Sequence, residues 1–442
     1  MGKKRRRGVS FGTVFMLLLT AIVILAFAVF LSAVAGEGLY ARTGELFRAL
    51  YAYGGEAPSS TPEPEAKPAA AAIPAAQWAV PATLVSLEPT PTPVPQEVSF
   101  TLAAAGTVYA PKAIRQSVQH QDHFDFDPVF AGLGRTLQDA DLAIVTLETT
   151  TAGSEKGYGN YNTPTELLDA LRACGVDLIS LATERALDKG LDGLRITLGE
   201  LATRGMTAAG VDMDADAGRT TDLIGIGGVK VAVLAYTYGV SDEGREKTRA
   251  SELDAVRTFD MEQVTADITK ARVDGANVVI VLPHWGTKNR QETPEHLRQA
   301  ARAMAEAGAD VILGTHPNVV LDTERLSVTR ADGLEYEAVV CYSLGSLLTD
   351  ARAAENTAGM VAHLNIAYDP VSRRTTLGAL ACTPVYIAQQ REDGQNVYRV
   401  VDTDDAQALA ALSEGEREAA QKAAERVRSV TGQAQREEEG QG

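Results

Sequence analysis

Cysteine is scarce in this chain, with three residues in 442, and positive charge falls well short of negative, with 41 lysines and arginines against 58 acidic residues. Cys174, Cys341 and Cys382 lie in or beside apolar stretches without paired spacing. A disulfide framework is therefore excluded, and buried free thiols are expected, although one pair could still form in an oxidising compartment. The formal charge of -17 and a pI near 4.9 oppose general affinity for nucleic-acid phosphates, which requires a clustered basic surface. No nucleic-acid partner is expected. No internal repeat is present. What remains is 45% hydrophobic, enough for one large domain or two smaller ones.

The one dense basic run, Lys3 to Arg7, directly precedes an uncharged apolar stretch from Val9 to Ala35. A bilayer core of about 30 Å needs about 20 apolar residues as a helix, so Phe11 to Ala35 suffices to span it. Positive charge stays on the cytoplasmic side. The expectation is a cytoplasmic basic tail over 1–8, a single transmembrane helix over 9–35, and everything after Gly36 outside the membrane. The competing reading is a signal peptide cleaved after Ala33-Val34-Ala35 and a secreted product starting at Gly36. The anchor is favoured, because the apolar run exceeds the roughly 7–15 residues of a usual signal core.

Leu39, Leu46, Phe47 and Leu50 recur at roughly helical spacing in a juxtamembrane segment, 36–56, which reads as an amphipathic stretch near the membrane or a plain helical extension. Residues 57–96 are rich in proline, alanine and threonine, cannot bury enough apolar surface to fold, and read as a semi-extended, disordered linker. From 97 to 401, short apolar runs alternate with helical patterns, which predicts an α/β domain. Strands are expected over 99–105, 142–147, 177–181, 229–236, 278–282, 311–313 and 339–343, and helices over 164–173, 191–203, 261–273 and 294–307. Thr293 reads as an N-cap with Pro294 in the first helical position, and Gly308 as the stop. Residues 402–442 read as a solvated helix with a frayed acidic end.

In α/β sheets, ligands bind beyond the carboxyl ends of strands, so the polar residues there are the candidates. These ends carry Gly106-Thr107, Thr146-Leu147-Glu148, Thr183-Glu184-Arg185, Pro283-His284-Trp285-Gly286, Gly314-Thr315-His316-Pro317-Asn318 and Ser343-Leu344-Gly345-Ser346. Two of six histidines stand at successive strand ends, where imidazoles, the commonest metal-ligand type, can converge, with Glu148 adding a carboxylate. Taken singly, each residue is more often structural: a hydrogen-bonded histidine, or a glutamate that caps a helix or pairs with arginine.

The ordered set Asn162-Thr163-Pro164-Thr165-Glu166, Gly175 to Ala182, Ala186 to Gly193, Pro283 to Gly286, Ala307 to Pro317 and Tyr342 to Gly345 resembles the CapA family of poly-γ-glutamate capsule biosynthesis, over about Phe100 to Asp350. The resemblance implies similarity to calcineurin-like metallophosphatases, a layered α/β sandwich whose strand-end loops hold a two-metal centre. It also shows departures. The family usually has Gly-Asp at Gly106-Thr107, Asn-Leu-Glu at Thr146-Leu147-Glu148, Asn-Asn-His at Thr183-Glu184-Arg185, His-Pro-His at His316-Pro317-Asn318 and Ser-Leu-Gly-Asn at Ser343 to Ser346. Glu148, His284 and His316 keep the expected ligand types, with His284 and His316 the catalytic candidates.

Two divalent ions need several anionic or neutral ligands, whereas Thr107 brings no charge and Arg185 brings a permanent cation. Glu148, His284, His316 and Glu184 could still hold one zinc-, manganese- or iron-type ion, or the site stays vacant. Arg185, with Glu184, Asn318 and Ser346 nearby, could instead bind an anionic group, or Arg185 could simply pair with Glu148 or Glu184. The favoured expectation is an extracytoplasmic component of capsule or related envelope-polymer biosynthesis with an impaired phosphoesterase-type site. Its partners would be the membrane, an anionic polymer or polymer-synthase membrane proteins. The alternatives are an active hydrolase with a reduced mononuclear site and a structural module with a vestigial cleft.

Overall fold

A computed structural model describes residues 96–213, 223–330 and 333–432. The expected basic tail, transmembrane helix, juxtamembrane segment and nearly all of the linker lie outside the described residues. Among the described residues no helix is long and apolar enough to cross a membrane.

Among the described residues, the longest uninterrupted apolar runs become strands buried on both faces, as parallel strands between covering layers must be. One sheet contains β1 (Val98–Val108), β2 (Leu142–Leu147), β3 (Leu178–Ser180) and β4 (Thr207–Ala209), all parallel. The other contains β5 (Leu223–Ile226), β6 (Val229–Thr237), β7 (Val278–His284), β8 (Val311–Leu313), β9 (Thr323–Thr329) and β10 (Glu335–Cys341), in the order β5-β6-β7-β8-β10-β9. Its inner strands β6, β7, β8 and β10 are parallel and its edges antiparallel. The chain then returns to the first sheet with β11 (Ser346–Leu348), β12 (Ala358–Asp369), β13 (Arg374–Leu377), β14 (Ala381–Glu392) and β15 (Gln395–Asp402), giving the order β15-β14-β12-β1-β2-β3-β4 with β11 on β1 and β13 on β12.

Side-chain alternation sorts each strand between two cores. Phe100 and Leu102 of β1, Leu142 and Ile144 of β2, and Val278, Ile280 and Leu282 of β7 meet in the core between the sheets. On the far side of the first sheet, Ala143 and Val145 pack with α1 (Glu166–Ala173) and α2 (Gly190–Thr203) through Leu167, Leu168, Leu171, Leu194 and Leu201. On the far side of the second, Val279 and Val281 pack with α3 (Met261–Val273) and α4 (Glu295–Ala307) through Val264, Ile268, Leu297, Ala301 and Met304. The result is a helix–sheet–sheet–helix sandwich, the layered α/β architecture expected.

Several details depart from the sequence reading, among them β1, which runs on through Gly106 and Thr107 to Val108, and β10, which covers Glu335–Cys341 instead of 339–343. Pro294 is itself the N-cap, in an extended conformation, and α4 begins at Glu295. The Thr293 hydroxyl donates to Asp322 instead of capping. The long antiparallel strands β12, β14 and β15 were not anticipated. The terminal helix α5 (Glu414–Val430) is not solvated all round, because Ala420, Ala423, Ala424 and Val427 are buried, and three of them join Tyr386 and Ala388 in the inter-sheet core. An alanine face at i, i+3, i+4 and i+7 carries little hydrophobic signal among so many charges, yet it lets a helix approach a sheet closely. No disulfide joins the three cysteines: Cys341 and Cys382 are buried thiols and Cys174 is half-buried.

Candidate metal and anion site

β7 and β8 run parallel, and their pairing continues past β8 through a bridge between His284 and Thr315, with the Trp285 amide donating to the Thr315 carbonyl at 3.0 Å. His284 closes β7, and His316 stands three residues past the end of β8. Gly314 allows this arrangement: a Cβ there would lie 2.2 Å from the Tyr342 carbonyl oxygen and 2.4 Å from Trp285 Nε1. His316 adopts φ +98°, a conformation that costs energy for any residue with a side chain and that concentrates at functional sites. Asn289 and Asn318, also at positive φ, are tied by Asn356, whose amide donates to Asn289 Oδ1 and to the Asn318 carbonyl, both at 2.9 Å.

The loop leaving β3 carries Glu184 across to the second sheet. Glu184 Oε2 lies 2.8 Å from His284 Nε2 and 3.9 Å from His316 Nδ1, and the two imidazole nitrogens are 3.2 Å apart. His284 Nδ1 is 2.9 Å from the Thr315 hydroxyl. With Glu184 ionised, His284 Nε2 is the donor to it, and the Thr315 hydroxyl at Nδ1 holds the other side of the ring, so the network orients the imidazole. All three residues are buried. Burial raises the Glu184 proton affinity, but the hydrogen bond and charge of His284, with Lys288 and His316, more than reverse this and hold the carboxyl well below its usual range. Burial, reinforced by His284, pushes the His316 imidazole down to about 3, so it stays neutral with its lone pair available.

Glu148, at the end of β2, is not part of this compact trio. Lys288 joins it to the group, with Nζ 3.1 Å from Glu148 Oε1 and 3.1 Å from Glu184 Oε1. Burial first, then the neighbouring charge of Glu184, raises the Glu148 proton affinity against the pull of His284 and Lys288. Burial lowers that of Lys288, but the two carboxylates outweigh it and the ammonium is held more firmly than usual. Arg185 lies at the rim, with Nε 3.7 Å from Glu184 Oε1, a terminal nitrogen 3.3 Å from Asp188 Oδ2, and its guanidinium 3.8 Å over the Tyr161 ring, which stacks on Tyr109. Tyr238, 53% exposed, roofs the imidazoles, 4.5 Å from His316 between ring centres.

The site residues expected from sequence are thus distributed unequally. His284, His316 and Glu184 come together, Glu148 and Arg185 flank them, and no hydrogen bond joins the side chains of Asn318 or Ser346 to the trio. Ser346 is buried on β11 opposite Thr107. Lys288, Tyr238, Tyr161 and Asp188 were not singled out; Lys288 is only four residues beyond His284, the one signal that could have raised it.

The trio fits one divalent ion. Tetrahedral ligands about 2.1 Å from a zinc-type ion stand roughly 3.4 Å from one another, and the three separations here bracket that value. Glu184 Oε1, turned from the imidazoles, meets Lys288 Nζ at 3.1 Å, while Thr107 Oγ1 and Arg185 Nε are buried without a hydrogen bond. Among the described residues this is the single group of three such side chains with metal-ligand spacing. An ion there would supply Lewis acidity, and the protein would supply its orientation through Thr315 and its shielding through Tyr238.

Residues 101–351, more than half of the chain and including every residue of this site, match the family model described as bacterial capsule synthesis protein PGA_cap. The chain belongs to that family. Among curated CapA relatives, it is 31% identical over 192 residues to "PGA biosynthesis protein CapA" of Bacillus subtilis, covering 43% of this chain and 47% of that protein. It is 24% identical over 189 residues to "Capsule biosynthesis protein CapA" of Bacillus anthracis, covering 42% and 43%. The chain thus matches less than half the length of each of these CapA proteins. A crystal structure described as a novel phosphatase of Mycoplasma pneumoniae aligns with 73% of this chain and all of its own, at 14% identity and a TM-score of 0.38, too slight a likeness to carry weight. The expected CapA kinship is shown by the PGA_cap match and these relatives.

Proposed function

We propose that this CapA-family chain is a membrane-anchored, extracytoplasmic component of capsule, poly-γ-glutamate or related envelope-polymer biosynthesis, and that its strand-end hollow recognises an anionic group of the polymer or its precursor. The anchoring rests on Lys3 to Arg7 followed by Val9 to Ala35. The observation that carries the binding function is Arg185, whose guanidinium stands at the rim of the hollow beside Glu184. Arg185 is 23% exposed in its side chain, keeps a buried Nε without a hydrogen bond, and is held flat by Tyr161, an arrangement suited to a carboxylate or phosphate oxygen.

The test is binding of poly-γ-glutamate to the purified full chain across a salt series. Arg185→Ala should weaken binding about tenfold, the scale of one charge-assisted hydrogen bond, with a shallower salt dependence. Unchanged binding discards the reading. A second reading, an active hydrolase with one metal ion, is favoured by the near-tetrahedral spacing of Glu184, His284 and His316. Phosphodiester hydrolysis that tracks metal content and disappears in His284→Ala would establish it in place of the first.

A further inference from the structure

Two buried carboxylates, Glu148 and Glu184, share this hollow, each only 4% exposed in its side chain. Side by side and away from water they need a cation between them, and in two-metal centres a divalent ion meets that need. Here the cation belongs to the chain. Lys288 Nζ stands 3.1 Å from an oxygen of each. Its position is built rather than incidental, because the loop that carries it is fixed on both sides. Gly286 turns the chain at φ +87°, the Asn289 amide donates to the Pro317 carbonyl at 2.8 Å, and Asn356 grips the Asn289 side chain.

The geometry points to Lys288 as a resident substitute for a divalent ion: its ammonium occupies the place between Glu148 and Glu184 and limits the site to one ion, at Glu184, His284 and His316. This deepens the reading of the trio as ion-competent and is independent of polymer recognition. Lys288 thereby separates two functions of Glu184, whose Oε2 faces the imidazoles while Oε1 faces the ammonium.

The experiment is metal stoichiometry of the purified full chain, loaded with excess manganese, desalted, and measured by mass spectrometry against protein concentration. The wild type should hold no more than one ion, Lys288→Met one more than the wild type, and Lys288→Arg the same as the wild type. The double variant Glu148→Gln/Lys288→Met, which removes both charges, should not gain the extra ion. Two ions in the wild type, or a folded Lys288→Met with no gain, overturn the inference. If Lys288→Met folds only when manganese is added, that rescue supports it, and failure of manganese to rescue counts against it. Polymer binding is read separately, so loss of either conclusion leaves the other measurable.

Discussion

Replacing Lys288 by methionine keeps most of the apolar stem and removes the ammonium, leaving Glu148 and Glu184 facing each other. At an effective dielectric constant of about 20, each contact at 3.1 Å contributes about 5 kcal/mol of attraction. Dehydration of the ammonium opposes that, and because Lys288 is 38% exposed in its side chain, solvent screens it further. The expected net loss of stability in chelator-treated protein at neutral pH is therefore about 2–4 kcal/mol, somewhat less than the roughly 3–5 kcal/mol for breaking a fully buried ion pair. Glu148 already has a raised proton affinity, from burial and then from Glu184. Protonating it at acidic pH removes the charge that Lys288 answers, so the penalty should shrink as pH falls. Urea unfolding of the wild type and Lys288→Met, followed by tryptophan fluorescence at neutral and acidic pH, measures both effects. A loss below about 0.5 kcal/mol, typical of a solvent-screened surface pair, or a penalty that does not change with pH, would refute the reasoning.

The His316 imidazole should give the metal-free protein an acid-labile window. In the unfolded chain it takes its proton near 6.5 and in the folded chain only near 3, so between these values the unfolded state binds more protons and stability falls as pH falls. The full shift corresponds to on the order of 3–5 kcal/mol, and His316→Asn should flatten the pH dependence of urea unfolding across that window. At the other end of the fold, Val427→Asp would place a carboxylate in the inter-sheet core and should cost at least about 3 kcal/mol in urea unfolding; no change would mean that α5 is not part of this domain.

The central strands were legible because both of their faces are buried, leaving unbroken apolar runs: β2 and β8 have the expected bounds, as does helix α3, whose start is fixed by the Asp260 cap accepting from the Gln263 amide. The strands from β12 onward were harder to see. Each carries polar residues on its less buried positions, such as Asn365 on β12, and they pair antiparallel near the edge of the sheet, so the apolar run is broken. His284 and His316 were conspicuous because each stands just beyond an apolar run. Glu148 met the same criterion, whereas Glu184 reaches the imidazoles only because the loop after β3 crosses toward the second sheet, a fact of sheet-on-sheet packing that spacing does not encode. Lys288 is invisible for a related reason: a lysine in a polar loop reads as solvated, and only the folded turn from Gly286 to Asn289 directs it at two carboxylates.

Central to the account is that Glu184, His284 and His316 form one ion-competent group with Lys288 in place of a second metal. X-ray absorption at the zinc edge of the zinc-loaded full chain tests this most directly. The account predicts a single low-coordinate zinc with two imidazole nitrogens and carboxylate oxygen at about 2.0–2.2 Å, a signal lost in His284→Ala. A metal–metal vector of about 3.5–4 Å, or a zinc environment without imidazole, would contradict it.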